Sequence, residues 1–306
     1  MRTIPGLKAV EEAVGRSTEM GKPVLYVPGI MDMDQVETVA GVIVLGSLLA
    51  RFGKAKVSLP GGCAIGTRPV DIHLFGLKKL GAKIKIKNGY IFAEAKKGLI
   101  GTQIKFPSIS VGATENVIIA AVLANGNTYL KNCACEPEIK NLIDFLNKMG
   151  ANISWQGKRE IKIIGCKKLK QASHQIMFDR IEAGTFIIAG ALIGKKLKIS
   201  GIQTRILHTE IKILKKMGVK MQISKDYVVI LHSPKIKPIK IKTEPYPGFP
   251  TDLQAQILVL MTKAKGRSQI KENIFENRFM HLSLIHISEP TRLLSISYAV
   301  VCLEKK

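Results

Sequence analysis

The sequence predicts an α/β protein assembled from several units of about 70 residues, and three observations carry that prediction. The first is a repeat. Leu77–Ile84 (LKKLGAKI) recurs as Phe145–Ile153 (FLNKMGANI) and again as Ile213–Met221 (ILKKMGVKM), with the glycines Gly81, Gly150 and Gly218 spaced 69 and 68 residues apart. The second is another glycine series, Gly53, Gly126, Gly194 and Gly266, with spacings of 73, 68 and 72, each closing an apolar helix-like run. The third is the period itself: simple solenoids repeat every ~20 to 50 residues, so units of this length point to a domain built from α/β modules that cannot cover their own sheets alone.

Each element follows from its pattern. An apolar run from Val39 to Ala50 precedes the strand Lys56–Leu59. The amphipathic stretch into Gly81 ends at a residue suited to a left-handed cap, and alternation then marks Lys83–Phe92 as strand and turn. Ser110 stands at the start of a helix over Ala113–Leu123. Glu136 and Glu138 flank Pro137 at the next helix start, where carboxylates favour the dipole, so they read as structural. Strands follow over Ile153–Ile164, Lys196–Ile199 and Met221–Leu231, and Lys235–Lys242 alternates Lys with Ile as a half-buried strand does. Asp252 precedes a helix over Leu253–Leu260, and capping that helix is the alternative to a functional role, though it could serve as both.

Composition narrows the function. The chain has 306 residues, a hydrophobic content of 46% and a net charge of +24. Many of its lysines alternate with isoleucines, as on the solvated face of a strand, so nucleic-acid binding is not predicted and attraction of small anions is. The longest apolar run is short of the ~20 residues of a membrane span, and no secretory signal pattern opens the chain, so a cytoplasmic protein without membrane association is expected. Five cysteines argue against a disulfide framework, and Cys133 and Cys135 form a lone Cys-x-Cys without a second pair at zinc spacing, so no metal is predicted.

The densest chemistry lies in Leu59–His73 (LPGGCAIGTRPVDIH), where three glycines surround Cys63 and Arg68 follows five residues on. Such a loop can present a thiol to an anion, since glycine allows close ligand approach and a nearby guanidinium favours the thiolate. The alternative is a small cysteine buried in a turn.

This loop, with Ser110–Asn116 (SVGATEN), Glu136–Ile139 (EPEI), Asp179–Thr185 (DRIEAGT), Phe249–Gln256 (FPTDLQAQ) and Phe275–His281 (FENRFMH), resembles in order the motifs of the UDP-N-acetylglucosamine 1-carboxyvinyltransferase branch of the enolpyruvyl transferases. The resemblance implies an inside-out α/β barrel of two domains, each of three repeats. It also implies addition of the sugar 3-hydroxyl to the central carbon of phosphoenolpyruvate, followed by loss of phosphate, with no cofactor. Such chemistry needs a proton donor for the methylene, a base near the hydroxyl and cations for phosphate and carboxylate. By the same resemblance Cys63 is the proton donor and Asp252 the base. Arg68 grips the anionic substrate, and Pro69, Val70, Asp71 and Ile72 receive the uracil. Ser110, Val111 and Gly112 meet the nucleotide phosphates, and Ile274 meets the acetamido sugar. Arg278 reads as an ion-pair partner rather than a ligand. The rivals are the shikimate-pathway transferase, which lacks dependence on a cysteine in this loop, and a basic nucleic-acid-binding protein.

The resemblance covers Gly46 to His281. Residues 1–45 lack the family's Lys-Asn pair and Arg-Ala-Ser motif and read as foreign. Residues 46–178 and 179–281 are read as partial first and second domains, and 282–306 resembles a translated sequencing adapter. With one cage lysine and one cage arginine of the family missing, the chain as given is expected to have negligible activity.

Overall fold

A computed structural model describes residues 25–26, 35–59, 70–194, 196–275, 278–279 and 299–304. The chain folds as two compact units, with the boundary between them at His174–Gln175.

Unit one contains two copies of the module. The first is α1 (Gln35–Phe52), β2 (Lys54–Ser58), α2 (Asp71–Lys79), β3 (Lys83–Lys87) and β4 (Tyr90–Glu94); a two-residue strand, β1 (Leu25–Tyr26), precedes it. After β5 (Gln103–Lys105), the second copy follows as α3 (Val111–Ala121), β6 (Asn127–Lys131), α4 (Pro137–Lys148), β7 (Asn152–Gly157) and β8 (Glu160–Ile164). The two sheets have the same topology, β1-β2-β4-β3 and β5-β6-β8-β7, each with one parallel pair and two antiparallel pairs. The predicted repeat is therefore a repeat of hydrogen-bond pattern as well as of sequence.

Unit two continues with α5 (Arg180–Ile193), β9 (Leu197–Ser200), α6 (His208–Lys216), β10 (Met221–Ile223) and β11 (Tyr227–Ile230), whose sheet runs β10-β11-β9. A fourth set comprises β12 (Lys240–Lys242), a 3-10 turn (Thr251–Leu253), α7 (Gln254–Met261) and β13 (Gly266–Lys271). There β14 (Ala299–Glu304) pairs in parallel with β13, whereas β6, β2 and β9 each have an antiparallel neighbour, β8, β4 and β11.

Both glycine series serve the turns predicted for them. All seven have φ between 69° and 120°, the left-handed region that a Cβ disfavours. Two further glycines allow close approach. A Cβ on Gly46 would strike Asn116, and one on Gly76 would strike Val117, so α1, α2 and α3 lie nearer to one another than side chains would allow. Around that meeting the core of unit one gathers Leu45, Leu49, Leu77, Ile91, Val117 and Ile118, all at or near zero exposure. The core of unit two is separate, built on Ile187, Leu207, Met217, Leu253, Ile257 and Ile270.

Two strand expectations change. Only Lys240–Lys242 of the predicted Lys235–Lys242 strand is laddered, with an isolated bridge at Ile236; Pro238 lies between and has no N–H to donate. In β3 the alternation buries little. Ile84 is half-buried but Ile86 is 55% exposed, because β3 is an edge strand. In other strands lysines lie over aromatic rings: Lys56 of β2 is 4.2 Å from the Tyr90 ring centroid and Lys198 of β9 is 4.5 Å from that of Tyr227. No described helix is long and apolar enough to cross a membrane.

Candidate functional site

In unit one the described residues of the predicted site lie at two helix starts. Val70 precedes α2 without a side-chain cap, its carbonyl accepting from the Leu74 N–H at 3.0 Å; Asp71 is exposed in the first turn and Ile72 is half-buried. One turn on, His73 is buried with its Nδ1 3.2 Å from Asn116 Nδ2. Burial holds the His73 pKa down at about 4, against a smaller upward pull from Asp71. Asn116 also donates to the Val42 carbonyl at 2.8 Å, so one amide joins α1, α2 and α3 beneath the predicted uracil segment.

At the second start, Ser110 is extended, with φ −139° and ψ 123°, and its Oγ accepts from the Ala113 N–H at 3.3 Å. Thr114 Oγ1 donates to the Ser110 carbonyl at 2.7 Å and accepts from the Ala134 N–H at 3.1 Å, pinning the turn to the following segment. Helix geometry leaves the first N–H groups, those of Val111 and Gly112, without intrahelical acceptors, which suits them to an anion. Val111 is exposed and Gly112 half-buried. Farther along α3, burial pushes the Glu115 pKa up to about 7, with the charges of Glu138 and Glu136 adding to the shift.

The Cys133 and Cys135 thiols offer little reactivity. Burial pushes Cys133 up to about 12 and also raises Cys135. Among the described residues no group of three or more His, Cys, Asp or Glu side chains is placed to hold a metal ion. Cys63, Arg68 and Pro69 lie outside the described residues.

In unit two Asp252 does not cap the helix, so the alternative to a functional role drops away. It sits inside the 3-10 turn, where the Leu253 N–H reaches the Pro250 carbonyl at 3.2 Å and the Gln254 N–H reaches that of Thr251. The tight turn satisfies donors that a capping side chain would otherwise take. The carboxylate is free for another partner, and Arg278 Nη2 donates to Asp252 Oδ1 at 2.8 Å. The Asp252 side chain is 53% exposed and that of Arg278 18%, so the carboxylate faces outward while its partner is largely covered. Arg278 is thus the ion-pair partner its motif suggested. Ile274 is half-buried, and its N–H is held at 2.7 Å by Glu272 Oε1.

Glu272 did not stand out in the sequence. It is 1% exposed and accepts from the hydroxyls of Thr243 at 2.8 Å and Thr251 at 2.9 Å, and from the N–H groups of Ile274 at 2.7 Å and Phe275 at 3.1 Å. A signal was present. The alternation of β13 buries Ser268 and Ile270, and Glu272 continues that parity just past the strand end, where a charged residue facing inward must find donors.

A family model described as EPSP synthase (3-phosphoshikimate 1-carboxyvinyltransferase) matches residues 10–286. The chain belongs to this enolpyruvyl transferase family. Among curated relatives, the UDP-N-acetylglucosamine 1-carboxyvinyltransferase of Pelagibacter ubique is 64% identical over 244 residues, 80% of this chain and 58% of the relative. That of Geobacter metallireducens is 52% identical over 252 residues, 82% of this chain and 60% of the relative. The chain therefore spans less than two thirds of the length of these relatives. Among solved structures, an enolpyruvyl transferase from Streptomyces tendae matches with a TM-score of 0.70 at 22% identity, covering 80% of this chain and 59% of that one. An EPSP synthase from Acinetobacter baumannii matches with a TM-score of 0.54 at 20% identity, covering 76% of this chain and 55% of that one. At those identities the structures speak for the fold, and the fold is the one expected: the inside-out α/β barrel built from α/β repeats. The family match begins at residue 10, ahead of Gly46, where the resemblance read from the sequence begins.

Proposed function

We propose that the chain carries the sugar-nucleotide half of an enzyme that transfers the enolpyruvyl group of phosphoenolpyruvate to the 3-hydroxyl of UDP-N-acetylglucosamine, a cytoplasmic step of peptidoglycan synthesis. The observation that carries this reading is Asp252, a half-exposed carboxylate whose Oδ1 is fixed by Arg278 at 2.8 Å, lying in the very motif where the family places its base. With Oδ1 engaged, Oδ2 remains to orient or accept the 3-hydroxyl proton. As the C–O bond forms at the central carbon of phosphoenolpyruvate, the methylene takes a proton from the thiol of Cys63. Loss of phosphate and of a methyl proton then regenerates the double bond. Arg68 would hold the anionic substrate, the Ser110–Gly112 turn the nucleotide phosphates, Pro69, Val70, Asp71 and Ile72 the uracil, and Ile274 the acetamido group. Every step uses an acid, a base and fixed cations, so the reaction asks for no redox carrier. The names of relatives up to 64% identical favour the sugar nucleotide over shikimate 3-phosphate.

Calorimetric titration of the 306-residue chain with the two compounds tests the substrate class. Heat of binding with UDP-N-acetylglucosamine and none with shikimate 3-phosphate is expected; the reverse would overturn the reading.

A further inference from the structure

We propose that Glu272 is a positioning residue that sets the candidate base and the acetamido contact in register with each other. Thr251 adjoins Asp252, and Ile274 lies two residues beyond Glu272; along the chain, these two site segments are otherwise joined only through α7 and β13. The buried carboxylate closes that gap directly. Oε2 accepts from Thr251 at 2.9 Å, while Oε1 accepts from the Ile274 N–H at 2.7 Å and the Phe275 N–H at 3.1 Å. Thr243, itself fully buried at the end of β12, donates to Oε1 at 2.8 Å and accepts from the Asn273 N–H at 2.9 Å, so the cluster is anchored to the sheet.

The residue type matters. A carboxylate is an acceptor through both oxygens with about four lone-pair sites, and here four donors converge on it. Charge-assisted bonds are roughly twice as strong as neutral ones, and leaving a buried acceptor without donors is costly, so the arrangement favours a single geometry. Glutamine has the same shape but offers one acceptor oxygen. Its amide could keep Ile274 and Phe275 only if the Thr251 hydroxyl turned round to accept. The catalytic meaning of the latch rests on the proposed function; the latch itself does not.

The test uses the full chain and its variants Glu272→Gln, Glu272→Ala and Thr251→Val. Amide exchange at Ile274 and Phe275 should accelerate about tenfold in Glu272→Gln and not in Thr251→Val, since the latter severs only the Oε2 arm. The Kd for UDP-N-acetylglucosamine should rise about tenfold in Glu272→Gln, with a melting point close to wild type. Should Glu272→Ala fail to fold, Glu272→Gln still decides. Unchanged exchange and affinity in Glu272→Gln, or an affinity loss that merely follows the unfolded fraction, would overturn the inference. A wild-type chain that binds no UDP-N-acetylglucosamine would contradict the proposed function instead, and amide exchange alone would then decide the latch.

Discussion

The two units hold their predicted site residues by different physics. In unit one the described residues of the predicted site present backbone features: two helix starts, one of them capped by the Ser110 hydroxyl, whose first N–H groups helix geometry leaves without intrahelical acceptors. In unit two they are side chains held by other side chains, Asp252 by Arg278 and the flanking segments by Glu272. A backbone cradle tolerates many side chains and should lose little on single substitution. A side-chain constellation concentrates its function in one or two atoms and should lose much.

The largest effect is therefore expected at Asp252. Turnover can be followed with residues 46–281 set between the flanking segments of the Pelagibacter ubique relative. In that protein Asp252→Asn should lower kcat by ~10² to 10⁴-fold, the usual share of a general base. Its stability should change by less than ~1 kcal/mol, because the Asp252 side chain is half exposed and asparagine keeps an oxygen that can accept from Arg278. A loss of activity that tracked a loss of melting temperature would move Asp252 from the chemistry to the scaffold.

Unit one should instead reveal itself through pH. Burial raises Glu115 from 4.5 to about 7, so the native state favours its protonated form. The stability this contributes is complete below about 4.5 and is lost as pH rises through about 7. Glu115→Gln should remove that dependence, gaining on wild type by up to roughly 3 kcal/mol between those limits in denaturant titrations. His73 has the opposite sign. Its pKa is lowered from 6.5 to about 4, so its contribution is complete above about 6.5 and lost as pH falls through about 4. His73→Gln should flatten the acid limb while leaving the Glu115 limb in place. If both variants kept the wild-type profile, these two groups would not be what tunes unit one.

The smallest effect belongs to the cap. Ser110→Ala should cost ~1 kcal/mol of stability and weaken nucleotide binding only slightly, since the N–H groups of Val111 and Gly112 remain. A loss of binding above about a hundredfold would mean that the hydroxyl, rather than the backbone, holds the phosphates.

Local features were legible in the sequence and long-range partnerships were not. The glycine series announced the module because positive φ is a property of single residues, and Ser110 announced its cap because the acceptor and its donor lie three residues apart. The capping alternative for Asp252 failed because a 3-10 turn supplies carbonyl acceptors at the position where a capping side chain would act. Pro238 interrupts the Lys-Ile alternation that suggested one long strand. Glu272 escaped because its hydroxyl partners lie 29 and 21 residues away, and pattern alone pairs no such residues. Cys63, Arg68 and Pro69 rest on motif resemblance, as they lie outside the described residues.

Phosphate release by the same chimeric protein reports enolpyruvyl transfer to a sugar nucleotide without an intermediate readout. Inorganic phosphate should appear from phosphoenolpyruvate only when UDP-N-acetylglucosamine is present. It should cease after Cys63 is alkylated by an epoxide that mimics phosphoenolpyruvate, with peptide mapping placing the label on Cys63. A folded chimera that released phosphate with shikimate 3-phosphate instead, or with neither acceptor, would contradict the account.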